Sequence, residues 1–256
     1  MIYFDEAFAP DVPLNHARIG INNLITTATA DSELQGFPAS AVANPLTYEF
    51  WRPDGASGVL TAEFDEGAVD YVGIASHTLQ GATVKVELEV GSAFVEIDTV
   101  TPDSNAPMMF LFDEVDASGV RITVTGADLS VGVIYAGKSI AMQRRVWGGI
   151  NPLNFSRKTA IRPNVSEGGQ WLGRSIVREG SNTTVSWRNL EYGWYKEYFD
   201  PFVEQARVRP YFFAMRPDKY PEISGYVWTN ADITPTISGV QNYLDVTVEM
   251  EGLAIE

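Results

Sequence analysis

Between Thr83 and Val90 the chain reads Thr-Val-Lys-Val-Glu-Leu-Glu-Val, a strict alternation of polar and apolar residues. Successive side chains on a strand point to opposite faces, so this pattern describes a strand with one side on a core and the other in water. Short β-branched or aromatic runs recur at 94–97, 108–112, 120–124 and 131–135, separated by turn formers such as Pro102-Asp103-Ser104-Asn105. Strands at this spacing predict an antiparallel β-sandwich. Before them, 15–30 is mixed and 45–53 aromatic, and Trp51 is placed to plug one end of the sandwich. Little helix is expected before Lys138.

The chain has 256 residues, enough for two ordinary domains. Its charge supplies a boundary. Residues 1–137 hold four Lys/Arg against twenty Asp/Glu, and 138–256 hold fourteen against thirteen, so a net charge of −15 divides into about −16 and +1. We therefore expect domains at 1–137 and 138–256. The acidic total argues against nucleic acid or an anionic membrane as a surface partner, since both need the opposite sign. The absence of cysteine removes disulfides, thiolate zinc sites and thiol nucleophiles. The opening Met1-Ile2-Tyr3-Phe4-Asp5-Glu6 lacks the basic flank and apolar run of a leader, and no stretch approaches about 18–20 apolar residues. An unexported chain without membrane insertion is the expectation.

After Gly137 the pattern changes. Residues 144–170 are rich in Gly, Asn, Pro and basic residues and have no clean period, which predicts a long loop or arm. A hairpin is expected next, from 171–177 and 183–190 around the turn 178–182. Trp194, Tyr195, Phe199, Phe202, Val203 and Ala206 then recur at helical spacing, with Pro201 either kinking the helix or restarting it as a first-turn proline. Strands are expected at 211–215, 225–229, 235–239 and 243–250. The fold class is thus mostly β: a sandwich, followed by a small sheet or barrel with one helix across it.

Little in the chain marks catalysis. His16 and His77 are the only histidines, with no HExxH spacing, and His77 reads as a loop histidine bonded to backbone. No Gly-x-Ser-x-Gly elbow singles out a serine. The acidic clusters Asp65-Glu66 and Asp113-Glu114-Asp116 could serve calcium or glycoside hydrolysis, but neither has an EF-hand pattern, and solvated loops explain them more simply. Gly148-Gly149 and Gly168-Gly169 precede no Gly-Lys-Ser/Thr of a phosphate loop. We expect no catalytic residue, no cofactor and no metal.

The strongest local signal is basic. Residues 138–190 carry nine Lys/Arg (Lys138, Arg144, Arg145, Arg157, Lys158, Arg162, Arg174, Arg178, Arg188) against Glu167 and Glu179. Without a recognition helix this fits protein association better than nucleic acid, although a solvated loop with stray charge is a third reading. The expected subunit interface comprises Arg144, Arg145, Arg157, Lys158, Arg162, Trp171, Arg174 and Arg178, complementary to the acidic part of a neighbouring copy.

Two stretches resemble known families. Phe37-Pro38-Ala39-Ser40, Trp51-Arg52-Pro53, 70–75 and 120–124 leading to Ile134-Tyr135 look like a discoidin-type, galactose-binding-like sandwich over about 15–137. That family takes ligands on variable loops, so no ligand residue carries over. Arg157-Lys158-Thr159-Ala160-Ile161-Arg162-Pro163-Asn164, 166–175, Trp194-Tyr195, 199–202, 209–214 and Glu251-Gly252-Leu253 resemble minor or distal tail proteins of long-tailed (siphovirus-like) bacteriophages. Distal tail proteins commonly place the ring-forming domain first, and here the order is reversed, so a baseplate or tail-tip component is the wider implication.

The resemblance implies a non-enzymatic structural protein of the virion, assembled in the host cytoplasm. It implies a ring (hexamer or trimer) at the tail end, with adjacent tail-tube, hub and fibre proteins as partners and DNA only passing through the channel. The alternative is a carbohydrate-binding module for a host glycan, with Trp51, Tyr71 and His77 as candidate contacts. An enzyme degrading host polysaccharide through Asp65 or Asp113 stands third.

Overall fold

The computed structural model describes residues 1–4, 8–238 and 242–253. Asp5 and Glu6 of the opening segment, and Gly239 at the end of the expected strand 235–239, lie outside the described residues. In chain order the strands are β1 (Ile2–Phe4), β2 (Arg18–Gly20), β3 (Thr27–Ala30), β4 (Ser57–His77), β5 (Thr83–Val90), β6 (Ala93–Val100), β7 (Met108–Thr125), β8 (Val131–Gly137), β9 (Ile140–Ala141), β10 (Ala160–Val165), β11 (Trp171–Arg178), β12 (Ser181–Glu191), β13 (Tyr211–Ala214), β14 (Ser224–Thr229), β15 (Thr236–Ser238) and β16 (Tyr243–Gly252). The chain is mostly β and its pairings are antiparallel, apart from β1 against β7. A short 3₁₀ turn, Ala39–Ala43, is the helical element described before Lys138.

Two long strands make the sandwich. β4 and β7 pair along most of their length, but the register shifts between Glu63 and Gly67, opposite Ala117 to Gly119. A register shift bends the strand and turns its side chains, so each strand crosses from one layer to the other. The expected strands 108–112 and 120–124 are therefore the two halves of β7. Leu60, Val86, Val120 and Ile122 of one layer meet Val72, Ile74, Phe110 and Ile134 of the other in one core. The acidic clusters occupy these bends, with Asp65 and Glu66 in β4 and Asp113, Glu114 and Asp116 in β7.

On the outer face Glu87 of β5 sits opposite Arg121 of β7. Arg121 donates to both carboxylate oxygens of Glu87 at 2.7 and 2.8 Å, and Lys85 Nζ lies 2.8 Å from Oε1. These donors, Arg121 first, hold the Glu87 carboxyl at about 2. An unfolded glutamate titrates near 4.5, so the pair's contribution is complete above that value and disappears as pH falls toward 2. The stability gap between the wild type and Glu87→Gln is expected to reach about 1–3 kcal/mol at neutral pH, given the partly exposed cations. It should close between pH 5 and 2 in denaturant titrations, and a pH-independent gap would exclude the ion pair as its source.

The second sheet has the order β12-β16-β14-β13-β2-β9, with β15 on β16. It departs from the expected boundary at 137/138. β2 lies in this sheet between β13 and β9, and Ala17, Ile19 and Ile21 join its core. Three apolar residues at alternate positions give that segment one face to bury, and the second core receives it. One face of the sheet is covered by α1 (Tyr192–Trp194), a π turn (Tyr195–Phe199) and α2 (Asp200–Ala206), with Phe199 and Phe202 packed beside Trp187, Tyr211 and Phe213. Pro201 stands in the first turn of α2. The π turn before it widens the helix where the proline ring would crowd a preceding carbonyl.

The two sheets share a buried, largely apolar junction. Phe212, Ala214 and Tyr226 on the far face of β13 and β14 pack against Tyr71, Met109, Leu111 and Tyr135 of the sandwich. The Tyr135 ring stands edge-on to Phe212 at 5.5 Å and to Tyr226 at 5.8 Å. Gly73 makes this approach possible, because a β-carbon there would lie 2.6 Å from the Phe212 ring. Gly73→Ala is expected to cost about 1–3 kcal/mol by overpacking. Thermal unfolding measures it, and an unchanged midpoint would mean that Phe212 has room to move.

Candidate functional site

The three candidate glycan contacts are interior residues, which corrects the expectation for them. Trp51 is fully buried, donates its indole N–H to Ser32 O at 2.9 Å and bridges to Val131. It does plug the sandwich end. Tyr71 is buried in the junction, and its hydroxyl donates to Asn22 O at 2.5 Å. Burial raises its titration well above the ordinary value. His77 closes β4, where Nδ1 accepts from Leu79 N–H at 3.3 Å and Nε2 donates to Ala106 O at 3.0 Å. Burial lowers it to about 4, so it is a neutral histidine bonded to backbone, at a strand end rather than in a loop. Aromatic and imidazole side chains signal a ligand only when exposed, and their sequence neighbours do not report that.

The expected interface residues divide into three groups. Arg144 lies 3.8 Å from Glu191 and donates to Asn189 O at 3.3 Å, and Arg145 is exposed. Arg157 bridges to Ser181, and Lys158 and Arg178 both reach the buried Glu251, Arg178 at 3.6 Å. These three tie the root of a hairpin to β12 and β16. Arg162, Trp171 and Arg174 stand out on the hairpin itself.

This hairpin differs from the expected one. β11 pairs with β10 around the turn 166–170, and β12 pairs with the distant β16. The segment 144–170 is thus not wholly a loop, since 160–165 is a strand. β12 alternates buried and exposed residues, whereas β11 is exposed on both faces, so the two belong to different layers. Ile161 opposes Ile176, and Val165 opposes Trp171. Trp171 is 71% exposed, Val177 69% and Leu172 66%. A lone two-stranded hairpin is marginal in water, and free edges beside exposed apolar residues are an association surface.

The surface also holds concavities, among them a cleft and a loop groove. A cleft of about 790 Å³ opens at the junction of the two sheets, between Asp70, Glu114 and Lys138 on one side and Trp194, Tyr198 and Pro201 on the other. Asp70 accepts the Ser139 N–H at 2.5 Å, and burial raises its carboxyl to about 6. Lys138 pairs with Glu114 at 2.6 Å. Arg18 lines the same cleft almost wholly buried, with Nη1 unpaired among the described residues. A smaller groove of about 400 Å³ lies on the loop 36–50. There Phe37 and Phe50 stack at 5.0 Å, Tyr48 is 71% exposed, and Asn44 donates to Glu49 at 2.8 Å. No sequence pattern marks either concavity, because distant segments form the cleft and one irregular loop forms the groove.

No protein-family model and no curated protein matches the chain. Among solved structures it is similar to the family 32 carbohydrate-binding module from C. perfringens NanJ in complex with galactose, at 18% identity and a TM-score of 0.42, covering 46% of this chain and 98% of that one. A chitosan-binding module of a chitosanase/glucanase from Paenibacillus sp. IK-5 gives 17% and 0.41 over 46% and 98%. A pectin-binding carbohydrate-binding module gives 14% and 0.40 over 48% and 98%. These are likenesses of fold. No helix among the described residues is long and apolar enough to cross a membrane.

Proposed function

We propose that the chain is a non-enzymatic structural protein that assembles with copies of itself, as a tail-tip or baseplate component of a long-tailed phage. The β10–β11 hairpin carries this reading: its apolar residues and free edges call for a partner, and its arginines select an acidic one. In this reading the second sheet builds the ring around the tail channel, and the sandwich faces outward toward fibre proteins or the host. The phage context comes from the sequence resemblance, and the self-association from the hairpin. Light scattering across about a hundredfold range of concentration tests it. A discrete trimer or hexamer is expected, and a strict monomer throughout would count against self-assembly.

A second reading is that the sandwich recognises a carbohydrate. The carbohydrate-binding modules named above invite it, and on this chain it rests on the loop groove, where exposed Tyr48 offers a stacking face beside Asn44 and Glu49. Glycan-array binding by the intact chain, lost in Tyr48→Ala, would support it. The intact chain is required because residues 17–21 belong to the second sheet. An array without signal would remove it.

A further inference from the structure

The second sheet ends in two different edges, β12 and β9, with β16, β14, β13 and β2 between them. At about 4.8 Å per strand the edges stand roughly 24 Å apart. The hairpin leads directly into β12 and is fastened there by the Arg157–Ser181 bridge and by Lys158 N–H donating to Gly180 O. The junction cleft lies at the other edge, where Ile140 and Ala141 of β9 line it. One edge therefore carries a projection and the other a cavity.

The chemistry of the two matches. Trp194, Tyr198 and Pro201 give the cleft an apolar wall, and the exposed carboxylates of Asp11, Asp113 and Glu197, with Asp70 and Glu114, outnumber the cations Arg18 and Lys138 that also line it. The hairpin presents Trp171 and Leu172 together with Arg162 and Arg174. The cleft volume is within the roughly 300–1,000 Å³ of cavities that enclose several rings or branched side chains. We infer that the hairpin of one copy inserts into the junction cleft of the next, with Trp171 and Leu172 against the aromatic wall and Arg162 and Arg174 on the carboxylates. This rests on the self-assembly reading and names the receiving surface.

Because the two surfaces lie on opposite edges of one sheet, the contact is head-to-tail. Such contacts close into rings when the rotation permits and otherwise run on as filaments. Guanidinium groups over Trp194 or Tyr198 would add cation–π attraction.

Charge reversal tests the pairing. Arg162→Glu with Arg174→Glu, and separately Asp113→Lys with Glu197→Lys, are each expected to weaken assembly at least about tenfold by sedimentation or light scattering. All four changes in one chain should restore it to near the wild-type value. A wild type that assembles while the cleft pair has no effect, or while the fourfold variant shows no recovery, would overturn the cleft as receiver and leave self-assembly standing. A wild type that is monomeric at every concentration would overturn both. Unchanged thermal midpoints in the variants establish that folding is intact, and a variant that fails this check is replaced by the corresponding charge-neutral one (Gln or Asn), for which a smaller loss of assembly is expected and no loss is contrary.

Discussion

Phe212→Ala is expected to destabilise the chain by about 3–5 kcal/mol, among the largest losses for a single truncation in a packed interior. Its ring is fully buried, lies 5.0 Å from Tyr226 and 5.5 Å from Tyr135, and covers Gly73 of β4 across the junction. Tyr135 and Tyr226 cannot collapse freely into the space left, since their hydroxyls are held by Pro210 O at 3.2 Å and Pro45 O at 2.9 Å. The cavity term therefore remains. The loss falls on the junction, so unfolding in denaturant should also separate into two transitions, one for each sheet. Phe213→Ala, one residue on, points into the helix-covered core and should weaken the second sheet first. A single transition of unchanged midpoint in Phe212→Ala would show that the junction contributes little to stability.

Replacing Trp171, Leu172 and Ile176 together by serine is expected to abolish self-assembly while leaving the folded chain as stable as before. These side chains are exposed and pack in no core cluster, so each change should move stability by no more than about 0.5 kcal/mol. A contact centred on Trp171 can lose about 2 kcal/mol or more from one truncation, and three such losses, about 6 kcal/mol, would carry a micromolar association of about 8 kcal/mol beyond the millimolar range. Thermal unfolding and light scattering on the same samples separate the two effects. Unchanged mass would move the interface elsewhere, and a large fall in stability would show that the hairpin packs on its own chain.

Local pattern was enough wherever the neighbours of a residue in sequence were also its environment. The alternation at 83–90 is β5, the aromatic spacing at 194–206 is the helix, and Pro201 takes the first-turn place allowed for it. The runs at 131–135, 211–215, 225–229 and 243–250 all lie on strands of nearly those limits. Each of these is dictated by a period of side chains against one core.

Partner choice was not legible, because pairing depends on residues far apart in the chain. β12 looks as ready to pair with β11 as with β16, and only the burial of alternate residues in the second core decides for β16. β2 is a three-residue strand lying in sequence between β1 and β3, both of which pair in the sandwich. Trp51, Tyr71 and His77 have the chemistry of a sugar site but lie inside, where packing and backbone hydrogen bonds use them.

By itself, then, the sequence determined the β class, the position of the helix and the basic character of the segment before β12, since these follow from side-chain period and charge. The tertiary structure alone decided which segment projects, where the cleft opens and which aromatics are buried. The physical reason is that exposure belongs to a surface made by the whole chain, and a residue's own neighbours in sequence do not carry it.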